Sequence, residues 1–187
     1  LVDPKRPLSV RDVFRHTAGY SYGGGNSLEA HKREGMRYHG PGGMWPPSMT
    51  IEEAAEALAR IPLLHQPGER FTYGYNTDLL GRLIEVWSGK SLAEHMRESV
   101  LEPLEMKDTG FSVPKDKRAR FASCHTTRGG KLGIVDKNTT SQFNEGFDFL
   151  SGGGGLVSTI RDYGNFCQML ANRGTYKGSR ILKKSTI

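Results

Sequence analysis

Cysteine is scarce in this chain. Cys124 and Cys167 are the only two, they lie in unrelated contexts, and no C-x-x-C pair exists. This leaves no redox or zinc motif. One disulfide is the most the sequence allows, and nothing in it argues for one. The six histidines (16, 31, 39, 65, 95 and 125) are scattered with no H-x-x-x-H pattern, so ligand spacing gives no metal site. No apolar run approaches the ~20 residues that a membrane-spanning helix needs. There is no G-x-S-x-G, and hence no nucleophile elbow. Strands and helices do not alternate in a βαβ pattern, which speaks against a doubly wound sheet. No internal repeat is visible.

What is present is an ordinary globular composition. Of 187 residues, 36% are apolar and 25% charged, enough for one sizeable core and too few for two ordinary domains. The net charge is +6, and much of it sits in KDKRARFASCHTTRGGK, residues 115–131, where six Lys/Arg face one acid, Asp116. Such a run can serve an anionic partner such as a nucleic acid. A solvated loop is the ordinary explanation, and no nucleic-acid-binding motif accompanies the run. The chain opens on Leu1 and closes at Ile187, just after a helix start at Lys184-Ser185-Thr186. These ends suggest an internal piece of a longer protein.

Helix starts are marked by caps. Ser9-Val10-Arg11-Asp12 predicts a short helix to about His16, and Thr50-Ile51-Glu52-Glu53 is a full capping box ahead of an amphipathic IEEAAEALARI. Pro62 and Pro67-Gly68 end that segment. After Asn76-Thr77, Leu79, Leu80, Leu83, Ile84 and Trp87 form one stripe, closed by Ser88-Gly89. Ser91-Leu92-Ala93-Glu94 is another capping box and opens a helix that stops before Pro103. Thr159 caps IRDYGNFCQMLAN, with Ile160, Tyr163, Phe166, Cys167 and Leu170 expected inward and Gly174 as the stop. Residues 19–48 read as loop apart from a helix at 28–34. Residues 118–146 read as a β-hairpin turning at Arg128-Gly129-Gly130, with strands near 120–127 and 131–136. The expected fold class is mainly α with a small β-hairpin (α+β), and long loops in a compact domain are often functional.

Few motifs carry chemistry on their own. Ser112-Val113-Pro114-Lys115 matches S-x-x-K in letters. That chemistry needs serine and lysine on one helical turn, and Pro114 inside the tetrapeptide opposes a helix. The run Gly152-Gly153-Gly154-Gly155 lacks the G-K-[ST] ending of a phosphate loop. It is either a tight turn before a capped helix or a close backbone approach to a pocket. Tyr73 and Tyr75 precede the helix that starts near Asn76. Phenols there can be packing, a turn, or a base.

Four segments, in order, bear on that choice: SVRDVFRHTAGYSYG (9–23), PGERFTYGYNTDLLGRLIEVWSGKSLAEHM (67–96), LEPLEMKDTGF (101–111) and SGGGGLVSTIRDYGNFCQMLANRGTYKGSRIL (151–182). Together they resemble the serine β-lactamase-like hydrolases, most closely the esterase branch related to class C β-lactamases and D-alanyl-D-alanine carboxypeptidases. The likeness covers nearly the whole chain. Tyr73, Asp78 and Gly81 match the spacing Y-S-x-x-x-D-x-x-G. The resemblance implies that Tyr73 is the catalytic tyrosine, which stands beside the nucleophilic serine and relays its proton. A free phenol titrates near ~10, and making one a base at neutral pH takes roughly 4 kcal/mol of preferential stabilisation of the phenolate. Neighbouring ammonium groups supply it. In the family these are the S-x-x-K lysine and, in some branches, a K-T-G-type lysine. Serine is then acylated and water hydrolyses the acyl-enzyme.

The chain departs from the family in two ways. Tyr75 stands where the lactamase and peptidase branches carry the asparagine of Y-x-N, and Asn76 comes one position late. This weakens a β-lactam reading and suits an esterase. The serine and lysine of S-x-x-K belong before Leu1 and the third motif after Ile187. Residues 1–187 would then form a single partial domain, the helical segment of a β-lactamase/transpeptidase-like fold, with most of the α/β sheet domain missing and no activity alone. The resemblance further implies a small-molecule ester, amide or β-lactam substrate and no cofactor. Substrate-lining roles are expected for Tyr75, for Tyr20 and Tyr22 on the loop after His16, and for Phe149, with Phe147 beside it. His16 is expected to be structural, fixing the helix-to-loop turn. The alternative is a non-catalytic binding or scaffold module derived from this fold, or a basic nucleic-acid-binding segment.

Overall fold

A computed structural model describes residues 2–23, 27–36 and 49–187. Much of the predicted loop at 19–48, including His39, lies outside the described residues. The order of elements is α1 (Val10–Phe14), α2 (Leu28–Arg33), α3 (Ile51–Ala59), α4 (Asn76–Ser88), α5 (Leu92–Met96), β1 (Cys124–Arg128), β2 (Lys131–Asp136), α6 (Ile160–Ala171), β3 (Thr175–Tyr176) and β4 (Ser179–Arg180). A π-helical turn, Arg97–Leu101, extends α5 toward Pro103.

The caps act where the sequence placed them. Ser9 and Thr50 each form reciprocal capping boxes, with Asp12 and Glu53. Ser91 and Thr159 each accept from the backbone N–H three residues on, which satisfies a donor that the first helical turn leaves open; at Ser91 this is a single cap and not the expected box, with no return bond to Glu94. Gly89 closes α4 in the left-handed conformation at φ 68°, which costs glycine little.

Helix α4 is the organising element, with α1, α3 and α5 all packed on it. The larger core gathers Met36, Ile51, Leu58, Tyr75, Leu92 and Phe149 around it. A second core joins Leu101, Leu104 and Met106 to Met169 and Tyr176. The hairpin β1–β2 is antiparallel, with a register shift between Cys124 and His125. A lone antiparallel bridge between Gly110 and Val157 ties the segment after α5 to the segment before α6.

Two expectations are corrected. Helix α6 is rotated from the predicted face: Ile160, Tyr163 and Cys167 point outward, while Asp162 and Met169 are buried. The cause is polar. Asp162 Oδ2 accepts from the Asp108 N–H at 2.7 Å and from Thr109 Oγ1 at 2.9 Å, and these bonds set the helix rotation. Trp87, expected on the inward stripe of α4, is exposed. It forms one wall of an apolar groove of about 480 Å³ with Phe14, Leu80, Ile84 and the Gly152–Leu156 turn.

Candidate active site

Tyr73 stands one turn ahead of α4 and is 62% exposed, whereas Tyr75, two residues on, is 0% exposed. The two rings point apart because the chain turns between them: Tyr75 already has φ −64° and ψ 12° as it enters α4, whereas in extended backbone residues two apart would share a face. Gly74 between them is crowded. A Cβ there would lie 2.5 Å from Ser21 Cα and 2.6 Å from the Tyr20 carbonyl oxygen. Segment 72–76 and loop 20–22 therefore meet backbone to backbone, and the loop's aromatic rings fall beside Tyr73.

Three rings surround this point. His16 stacks on Tyr73 with centroids 5.1 Å apart and planes 20° from parallel. Tyr22 meets Tyr73 edge-on at 5.6 Å and Tyr75 edge-on at 4.7 Å. Burial, helped by the Asp78 carboxylate and by Tyr73, pushes the Tyr22 phenol well above the usual tyrosine range. Burial raises the Tyr20 phenol too. Behind Tyr75 lies the enclosed His31, whose Nδ1 is 2.9 Å from the Ser27 carbonyl and whose Nε2 is 3.1 Å from the Ser21 carbonyl. A neutral imidazole carries one N–H and can donate to only one of these oxygens at a time.

His16 occupies the left-handed region at φ 54°, uncommon for a residue with a Cβ. Its carbonyl accepts from the Thr72 N–H at 2.7 Å. Its Nδ1 accepts from Asn76 Nδ2 at 3.2 Å. Asn76 is fully buried, so the asparagine that comes one place late orients the His16 ring.

The glycine run settles between its two readings. Ser151 Oγ donates to Asp78 Oδ1 at 2.5 Å, and the Gly153 N–H donates to the same oxygen at 3.2 Å. A Cβ on Gly152 would lie 2.5 Å from the Thr77 carbonyl oxygen. The run is thus a turn and a close approach at once, made to the backbone of α4. Burial raises the Asp78 carboxyl above its usual range against these two hydrogen bonds.

The sequence-predicted residues divide. Tyr73, Tyr22 and Tyr20 share one neighbourhood, with Tyr73 open to solvent. Tyr75 and Phe149 sit in the core at 0% and 1% exposure, enclosed rather than on an open wall, in one cluster with Met36, Ile51, Leu58 and Leu92. Ser112 and Lys115 do not share a helical turn: Pro114 is extended and the 3-10 turn begins only at Lys115. Within the basic stretch, Lys117 and Arg120 pair with Asp108, and Arg118 donates to the Asn144 carbonyl. Among the described residues no cluster of His, Cys, Asp or Glu could hold a metal ion, and no helix is long and apolar enough to cross a membrane. Sequence reasoning left His16 as a turn residue and gave Asn76 no function. The signal available for this neighbourhood was Gly74, which replaces the serine of the Y-S pattern exactly where a neighbouring loop needs room.

A family model described as Beta-lactamase matches residues 2–186. The chain belongs to the beta-lactamase family. Protein Rv1367c of Mycobacterium tuberculosis is 32% identical over 192 residues, covering 98% of this chain and 43% of that protein. Lovastatin esterase of Penicillium rubens is 29% identical over 174 residues, covering 91% of this chain and 42% of that enzyme. The solved structure of EstCE1, a hydrolase with promiscuous acyltransferase activity, superposes with a TM-score of 0.71 at 24% identity, covering 99% of this beta-lactamase-family chain and 50% of the neighbour. That likeness shows a beta-lactamase/transpeptidase-like fold. The chain spans less than half the length of the two curated relatives.

Proposed function

We propose that the protein is a serine hydrolase of the carboxylesterase type. Acyl transfer would go to a serine outside these 187 residues, and residues 1–187 would form one partial domain. Tyr73 is the base and proton relay in this reading. It takes the serine proton as the hydroxyl attacks the ester carbonyl, then returns it to the leaving alcohol, and water repeats the cycle on the acyl-enzyme. Tyr20 and Tyr22 border the acyl-binding side. The observation that carries the reading is the phenol of Tyr73, open to solvent yet fixed by a stacked ring and a neighbouring phenol. A base needs both access to substrate and a defined position. Membership of the family and the names of relatives such as lovastatin esterase support the same class. Tyr75 in place of the Y-x-N asparagine favours esters over β-lactams.

The test is Tyr73→Phe in the full-length protein, assayed with a chromogenic ester and a chromogenic cephalosporin. The ester should be turned over by the parent and acylation should fall at least 100-fold in the variant. Unchanged ester turnover would refute the base role, and a parent that prefers the cephalosporin would refute the esterase assignment.

A further inference from the structure

A solvent-exposed phenol ahead of a helix is a poor base unless something holds its ring. Left to itself the side chain samples several rotamers, and a displacement of about 1 Å at a reacting group can cost ~100-fold in rate. Tyr73 is 62% exposed, so its own packing restrains it little. What restrains it comes from the 16–22 segment, more than fifty residues earlier in the chain.

We propose that His16 and Tyr22 are positioning residues for Tyr73. His16 is the platform on which the phenol ring lies, and Tyr22 is the ring whose edge closes the other side. The proposal rests on the reading of Tyr73 as the base. His16 is itself held at three points. Its backbone adopts φ 54°, strain of the kind that accumulates where a side chain must point one way. Its carbonyl accepts from the Thr72 N–H at 2.7 Å, which links it to the residue next to Tyr73. Its Nδ1 accepts from the buried Asn76 amide at 3.2 Å, which links it to the first residue of α4. Ring, backbone and helix start thus form one frame, and the stack at 5.1 Å passes that frame to Tyr73.

Tyr22 closes the other side. Its ring edge meets Tyr73 at 5.6 Å and Tyr75 at 4.7 Å, so it spans the exposed and the enclosed tyrosine. Burial and the Asp78 carboxylate hold the Tyr22 phenol above its usual range, so it keeps its proton while Tyr73 takes one from serine. No proton passes between the two phenols. Tyr22 keeps its own, and the serine proton resides on Tyr73 Oη until the leaving group takes it.

The two contributions separate experimentally in the full-length protein. Tyr22→Leu removes the ring edge and keeps apolar bulk. His16→Asn keeps a residue that tolerates positive φ and removes the stacked ring together with the Nδ1 that accepts from Asn76. With a chromogenic ester, kcat should fall about 10- to 100-fold in each. KM should stay within about twofold in His16→Asn, which removes no substrate contact. A kcat within twofold of the parent in both variants, alongside an inactive Tyr73→Phe, would overturn the positioning role and leave the base reading intact. A fully active Tyr73→Phe would overturn both. If either variant fails to fold, the parent decides by NMR with labelled tyrosine. Nuclear Overhauser contacts from Tyr73 to both Tyr22 and His16 are expected, and their absence refutes the clamp.

Discussion

Adding one methyl group at Gly74 tests how the site is assembled. The backbone there is not in the left-handed region, so alanine suits it conformationally. At such positions Gly→Ala normally stabilises by about 0.4–1 kcal/mol through the unfolded chain. The structure predicts the opposite sign. The added Cβ would lie 2.5, 2.6 and 2.7 Å from Ser21 Cα, Tyr20 O and Ser21 C. All three atoms are backbone, and no rotamer change relieves them. Ordinary contact begins at 3.4 Å, so loop 20–22 must retreat by roughly 1 Å. Overpacking of this kind costs about 1–3 kcal/mol. Less the unfolded-state gain, the net loss is centred near ~1 kcal/mol and reaches about 2.5 kcal/mol, which lowers Tm by about 2–4 °C per kcal/mol for a chain of this size. Calorimetry or circular dichroism would measure it. The retreat should also break the Tyr22–Tyr73 contact, visible as a lost Overhauser effect, and Gly74→Ser should behave alike. An alanine variant as stable as the parent or more so, with that contact intact, would refute the claim that Gly74 seats the loop beside Tyr73.

Two further predictions follow from buried carboxylates. Asp78→Asn keeps an oxygen for the Ser151 hydroxyl and the Gly153 N–H. Burial raises the Asp78 carboxyl, so its contribution is complete in acid and is lost as pH rises through its folded value. Urea unfolding should therefore show the asparagine variant gaining on the parent as pH increases from 4 to 8, and a gap that shrinks would contradict the sign. Asp12 is the reverse case. Arg6 grips both its oxygens at 2.7 and 2.8 Å and Ser9 donates twice more, holding the carboxyl well below the usual range. Its stabilisation is present above the unfolded value near ~3.9 and fades as pH falls through the lower folded one. Asp12→Asn should flatten the acid limb of the stability curve below pH ~4, with little change in its shape at neutral pH.

Local signals were legible before any coordinates. The boxes at Ser9 and Thr50, the glycine stop at Gly89 and the turn at Gly129-Gly130 each depend on residues a few positions apart. Helix α6 shows where such reading fails. Apolar spacing favoured Ile160, Tyr163 and Cys167 inward, but a carboxylate on the same helix, Asp162, found its donors on a turn more than fifty residues away. Apolar periodicity does not register a polar group that outweighs it. Tyr75 and Phe149 show a second gap. An aromatic in a family cleft segment reads as a pocket wall, while enclosure depends on what packs over it.

The sequence by itself determined which segments become helices, where they start and stop, and which family they belong to, because caps, breakers and ordered motifs are short-range or cumulative signals. Only the tertiary structure decided that His16, Tyr22 and Tyr73 meet. That meeting hangs on a glycine small enough to let two backbones touch and on a buried amide that turns an imidazole to face a phenol. Both depend on distances between parts of the chain that sequence order keeps far apart.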